Sequence, residues 1–255
     1  MDKNERSRGA AFVVGGSGGL GRAVCHALAQ QFEGVFFTYR SNLRAAESLR
    51  EELAPMCKVG FAPADTSDSA SVDAAVDAAR RQFGTIPAVV MASGVNIEQP
   101  YVSRIKEAQW LEVIEVELMG FIRVVAATLP ILRAQGNGAY VALTSVATAS
   151  YPPGDALSAV PKAGMEMLAR AIAKEEGRAG IRANCVAPGL MDAGLGAEFL
   201  KRLYTPEIWE TQRKKIALKR FGTAEDVSDV VAFLVSDKAR YVTGQIIYAD
   251  GGFHL

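Results

Sequence analysis

Five of the seven residues from position 15 to position 21 are glycines: Gly15, Gly16, Gly18, Gly19 and Gly21 surround Ser17 and Leu20. This turn constrains the chain more than any other feature. Before it, residues 10–14 form an apolar run that reads as a buried strand; after it, residues 20–32 have helical spacing. Glycines in that context let the backbone turn tightly and approach a pyrophosphate. The helix that follows offers free N–H groups and the positive end of its dipole. The spacing fits GxGxxG at Gly16, Gly18 and Gly21, and equally GxxxGxG at Gly15, Gly19 and Gly21. Without a ligand the same stretch is only a glycine-rich turn.

The rest of the chain repeats the alternation. Strand-like runs at 34–39, 58–62, 88–91, 139–143, 182–186 and 245–248 alternate with helical patterns at 43–53, 71–83, 108–132, 163–176 and 226–234. Strands alternating with helices imply right-handed crossovers and a parallel sheet covered on both faces. The expected fold class is α/β: a single doubly wound Rossmann-type domain over residues 1–255. A small substrate-loop insertion is expected at about 188–223, where an irregular glycine-rich piece precedes a charged helical stretch, 205–218.

Composition narrows the function. The 255 residues carry 28 Lys plus Arg against 28 Asp plus Glu, so nothing points to a nucleic-acid surface or a basic membrane patch. Cys25, Cys57 and Cys185 form no CxxC and read as buried thiols of a reducing compartment. His26 and His254 lie far apart, so no metal site is expected. Residues 1–9 are polar and unlike a secretory signal, and no apolar run approaches the roughly 18 residues of a membrane span. A cytoplasmic protein is expected.

The second strand ends at Thr38, Tyr39, Arg40 and Ser41. An NAD site usually places an acid there to hold the ribose 2′-hydroxyl. Arg40 and Ser41 stand in its place, and a guanidinium pairs well with a 2′-phosphate. This favours NADP(H) as cofactor; the alternative for Arg40 is a solvated surface residue.

With these residues in view, the chain resembles the short-chain dehydrogenase/reductase family, in particular its beta-ketoacyl-reductase-like branch, over roughly residues 10–253. Gly15, Gly19 and Gly21 match the family's glycine spacing, with Ser17 and Leu20 between them. Residues 39–42 resemble its NADP-type members. Asp65 and Thr66 sit where the family contacts adenine, and Ser93 and Gly94 fall in its NNAG stretch, here Met91, Ala92, Ser93 and Gly94. Ser145 takes the position of the catalytic serine and Lys162 that of the lysine. Asn184, Pro188 and Gly189 resemble the strand and loop beside nicotinamide. Residues 218–222, 241–245 and 250–252 resemble the C-terminal segments. The resemblance implies an oxidoreductase acting on a small carbonyl or hydroxyl substrate, possibly acyl-linked, and a homo-oligomer, a tetramer or dimer.

The departures fall in the chemical half. The family's YxxxK would place tyrosine at residue 158, which is Ser158. The relay asparagine falls at Glu117, and the threonine after Pro-Gly at Ala193. Serine is a poor replacement for a phenol whose pKa the lysine lowers. Ser158 is expected to cap the helix, with Pro161 in its first turn. Tyr151, stiffened by Pro152, Pro153 and Gly154, is a candidate relocated acid, or else part of the substrate wall. Tyr101 and Tyr204 are weaker candidates. Glu117 is expected to pair with Lys162 if both face the crevice. Met91, Tyr151 and residues 195–204 are expected to shape an apolar substrate pocket. Three functions follow: an NADP(H)-dependent carbonyl reductase with a non-standard proton donor; a non-redox dehydratase, isomerase or cyclase; and a catalytically silent NADP(H)-binding protein.

Overall fold

The computed structural model describes residues 7–194 and 205–255. Seven runs rich in Val, Ile, Phe and Ala form strands β1 (Ser7–Val14), β2 (Phe32–Tyr39), β3 (Lys58–Pro63), β4 (Ala88–Met91), β5 (Gly138–Leu143), β6 (Ile181–Pro188) and β7 (Ile246–Ala249). All neighbours pair in parallel, in the order β3-β2-β1-β4-β5-β6-β7. Burial on both faces makes the central strands near-continuous apolar runs.

The helices between them are α1 (Gly19–Ala29), α2 (Leu43–Leu53), α3 (Ser69–Phe83), α4 (Glu107–Ile114), α5 (Gly120–Gln135), α6 (Ala156–Glu176), α7 (Pro206–Lys215) and α8 (Ala224–Val235). Side-chain alternation along β1 splits the core in two. Ala11 and Val13 pack with Val24, Leu28, Leu49, Val227 and Val231 of α1, α2 and α8. Phe12 and Val14 pack with Val72, Val76, Phe121, Val124, Met165 and Ala169 of α3, α5 and α6. The sheet is therefore doubly wound. Strand order reverses between β1 and β4, so a crevice opens beyond their carboxyl ends.

Three expectations about local structure need correction. The helical stretch 108–132 is interrupted by a π turn, Glu115–Met119. Side-chain donors compete for its ladder: Thr66 Oγ1 donates to the Val116 carbonyl at 3.1 Å, and the Arg123 guanidinium to the Glu115 carbonyl at 3.3 Å. Next, Ser158 is not a cap. Helix α6 starts at Ala156 with Asp155 at its N-cap, because the Asp155 carbonyl accepts from Ser158 N at 3.1 Å and Ala159 N at 2.9 Å. Pro161 thus lies beyond the first turn, and the bond it forgoes is the one to the Leu157 carbonyl. Finally, Cys57 is only partly buried, unlike Cys25 and Cys185.

The irregular piece after β6 is closed by a bridge between Met191 and Gly222, where Asp192 N donates to the Gly222 carbonyl at 2.8 Å. Among the described residues, no helix is long and apolar enough to cross a membrane, and no group of His, Cys, Asp and Glu is arranged to hold a metal ion.

Candidate active site

The glycine turn is shaped by what crowds it. Gly15 has φ +78°, and a Cβ there would lie 2.7 Å from the Ser93 backbone. Its N–H donates to the buried Thr38 hydroxyl at 3.1 Å. A Cβ on Gly21 would run into the Gly15 carbonyl oxygen, and one on Gly19 into the Gly194 backbone. Gly18 is different: its extended backbone suits any residue, and a Cβ there would meet only the Gly15 oxygen, at 3.4 Å. A Cβ on Gly16 would meet the Phe37 side chain at 2.5 Å, so the turn requires glycine at 15, 16, 19 and 21; Gly18, the middle glycine of GxGxxG, is the one not required, which favours the GxxxGxG alternative.

The crevice is a cleft of about 880 Å³. Its walls bring together Gly15, Ser17, Gly19, Leu20, Arg40, Thr66, Ser93, Gly94, Ser145, Ser158, Lys162, Pro188 and Gly189. Gly21 lies beneath the turn, not on the wall. Ser41 and Asp65 are exposed and outside the lining. The Asp65 carboxyl is held below its ordinary range by hydrogen bonds from the Ser67 hydroxyl and N–H, with the Arg40 and Arg123 charges adding to the effect. Sequence showed no acid at the end of β2; the fold brings this one into the field of Arg40.

Tyr151 is half exposed and does not line the cleft, so it is not gathered with Ser145 and Lys162. Tyr101 lines the cleft at its rim. Met91 is fully buried in the core and forms no substrate wall. Tyr204 and the rest of 195–204 lie outside the described residues.

In the reactive half, the Lys162 ammonium donates to Glu117 Oε2 at 2.6 Å. The other Glu117 oxygen, Oε1, accepts from Val95 N at 3.0 Å. Glu117 is buried on the π turn, which aims it across the cleft at α6. The Ser145 hydroxyl accepts from Ala147 N at 3.1 Å, which leaves its own proton for the cleft.

Sequence reasoning missed Asp155. It is buried in the cleft wall, and its Oδ1 accepts from Gln99 Nε2 at 2.8 Å. Burial pushes its carboxyl up from 3.8 to about 6, against the opposing effects of Gln99 and Lys162. A raised carboxyl contributes most to stability in acid, and that contribution is lost as pH rises from 3.8 through about 6. The sequence suggests a helix start at Ser158 and leaves Asp155 in the loop before it, which is why it gave no signal.

The residues present fit a dinucleotide. The first turn of α1 has N–H groups without intrahelical acceptors, and Arg40 at the cleft wall has no ion-pair partner among the described residues. A parallel doubly wound sheet with a dinucleotide-type cleft at its switch point, carrying serine and lysine on its wall, defines a class of nucleotide-dependent enzyme scaffold.

Similarity to known proteins narrows the class. The family model described as "Enoyl-(Acyl carrier protein) reductase" matches residues 14–254. A 3-oxoacyl-[acyl-carrier-protein] reductase of Staphylococcus aureus is 33% identical over 246 residues, 96% of this chain and 98% of the relative. The corresponding reductase of Chlamydia muridarum is 32% identical over 95% of this chain and 96% of its own. Among solved structures, levodione reductase superposes with a TM-score of 0.92 at 31% identity, covering 98% of both chains. The chain belongs to the short-chain dehydrogenase/reductase family, a family of oxidoreductases.

Proposed function

We propose that this protein is an NADP(H)-dependent oxidoreductase that interconverts a carbonyl and an alcohol, with a proton donor other than the family's tyrosine. One observation carries the reading: the glycine turn, Arg40, Ser145 and Lys162 converge on a single cleft. We read residues 1–255 as one cytoplasmic domain, with 188–223 as its substrate loop. The relatives' names make a 3-oxoacyl thioester the first substrate to try.

A bound reduced nicotinamide supplies hydride. Lys162 holds the nicotinamide ribose, and Glu117 holds Lys162 in place. Ser145 donates its free proton toward the substrate oxygen and orients it. Ser158 supplies no phenol; its hydroxyl has no protein partner among the described residues. The test is NADPH oxidation against a panel of ketones and 3-oxoacyl thioesters, with NADPH binding followed separately by fluorescence. Tight binding with no turnover on any substrate would leave a binding protein.

Arg40 sets the cofactor preference in this reading. NADPH is expected to bind at least about tenfold tighter than NADH, a difference of about 1.4 kcal/mol. Arg40→Asp is expected to reverse the order. Equal affinities of the native protein for both dinucleotides would remove the argument.

We also propose a homo-oligomer, a tetramer. The edge strand β7 is only partly covered, and Tyr241 and Leu255 stand almost fully exposed, at 100% and 95%. Natural sheets rarely leave an edge and adjoining apolar side chains open. Light scattering is expected to return a multiple of the chain mass; a monomer mass at every concentration refutes it.

A further inference from the structure

An aspartate at a helix N-cap ordinarily turns its carboxylate onto the N–H groups of the first turn. Asp155 holds that position in α6 and makes no such bond. Its side chain lines the cleft instead, and the residue is only 8% exposed. Gln99, from the loop after β4, donates to Oδ1. Among the described residues, no hydrogen bond reaches Oδ2. Asp155, Ser158 and Lys162 are spaced so that they share one face of α6, and all three line the same cleft as Ser145. The helix thus forgoes a cap and buries an acid whose free oxygen belongs to the reactive half of the site.

We propose that Asp155, in its carboxylic acid form, is the catalytic acid of this chain and donates its proton to the carbonyl oxygen that Ser145 orients. The proposal rests on the oxidoreductase reading above. Ser158 fits it: a small side chain there, on the same cleft wall, leaves open the space a phenol would fill. The balance is simple. A reduced nicotinamide dinucleotide supplies two electrons and a hydrogen nucleus to the carbonyl carbon. The C=O π pair takes the Asp155 proton, an alcohol O–H forms, and Asp155 is left as carboxylate. Solvent at the cleft mouth reprotonates it.

The surroundings suit an acid that works near neutrality. Lys162 is the charged group that acts on Asp155, and it is already engaged by Glu117. Gln99, Ser145 and Ser158 are neutral. Burial outweighs the pull of Lys162 and holds the carboxyl at about 6.

The experiment compares the native protein with Asp155→Asn and Asp155→Glu by two readouts. Infrared difference spectra of the ligand-free protein are expected to show a buried carboxylic acid band. The band titrates away with a midpoint of about 6 and is missing in Asp155→Asn. In NADPH-dependent ketone reduction, Asp155→Asn is expected to lose about 100-fold in turnover, the scale of general acid catalysis, with NADPH affinity unchanged. The acid form is consumed as pH rises. Native turnover is therefore expected to fall about tenfold per pH unit above about 6, while the Asn variant shows a flat profile. Asp155→Glu retains an acid and is expected to recover part of the rate with the pH dependence intact. An Asn variant with native turnover and native pH profile overturns the proposal, as does a native spectrum without the band. A native protein that binds NADPH yet reduces nothing overturns the oxidoreductase reading, and the role of Asp155 falls with it.

Discussion

Lys162→Ala is expected to lower stability by about 3 kcal/mol, the low end for removing one partner of a buried ion pair. It is also expected to weaken NADPH binding by between about 10-fold and about 100-fold, the worth of hydrogen bonds from a charged group. The two effects have separate causes. The ammonium side chain is 12% exposed and its partner Glu117 5%. Without Lys162 the Glu117 carboxylate keeps one protein donor, the Val95 N–H at 3.0 Å, and is the more deeply buried of the two charges. Glu117→Ala leaves the charge on the other partner. The Lys162 ammonium is the more exposed of the pair, so this variant is expected to cost less, about 1–2 kcal/mol. The double variant Lys162→Met with Glu117→Leu removes both charges and is expected to recover stability to within about 1 kcal/mol of native. It does not recover binding, because no ammonium remains for the ribose. Urea unfolding and NADPH titration of the four proteins measure both. If Glu117→Ala is the least stable of them, the account of which charge is stranded is wrong.

The features legible in sequence were those written in local pattern. Strand β1, the glycine turn and α1 are contiguous, and each reports its own period and turn chemistry. The alternation of elements set the parallel, doubly wound sheet. What escaped was decided by side-chain contacts and burial that no local period records. The apolar period of 108–132 continues smoothly, but Thr66 and Arg123 take carbonyls from its middle and a π turn results. That turn is what presents Glu117 to Lys162. Ser158 and Pro161 supplied a plausible local helix start, yet the Asp155 carbonyl opens the helix earlier. Tyr151 looked poised because it follows Ser145 closely in sequence. The loop that carries it leaves the ring half exposed and outside the cleft wall, which its neighbours Pro152 and Pro153 do reach. Asp155 carries no pattern at all. Its meaning comes from burial and from Gln99, 56 positions away in the chain.

The glycine turn permits a sharper test, because the two spacings allowed by sequence predict opposite outcomes at one residue. Gly18→Ala is expected to change stability by no more than about 0.5 kcal/mol and to leave NADPH affinity near native. Its backbone sits at φ −78° and ψ 170°, which alanine adopts freely, and the added methyl meets only the Gly15 oxygen at ordinary contact distance. Gly21→Ala meets that same oxygen far inside contact distance, and the atom is backbone. No side chain can swing away, so the turn must open, at a cost of about 3 kcal/mol, the upper range for overpacking. Opening the turn displaces the first N–H groups of α1 from the phosphate-binding position they would take. NADPH affinity is therefore expected to fall by at least about 100-fold, equivalent to about 2.7 kcal/mol. Gly15→Ala adds the strain of φ +78° to its clash with Ser93 and is expected to be no milder. Thermal unfolding and fluorescence titration of the three variants separate folding from binding. A Gly18 variant that loses NADPH while the Gly15 variant keeps it would reverse the assignment and place the working glycines at 16, 18 and 21.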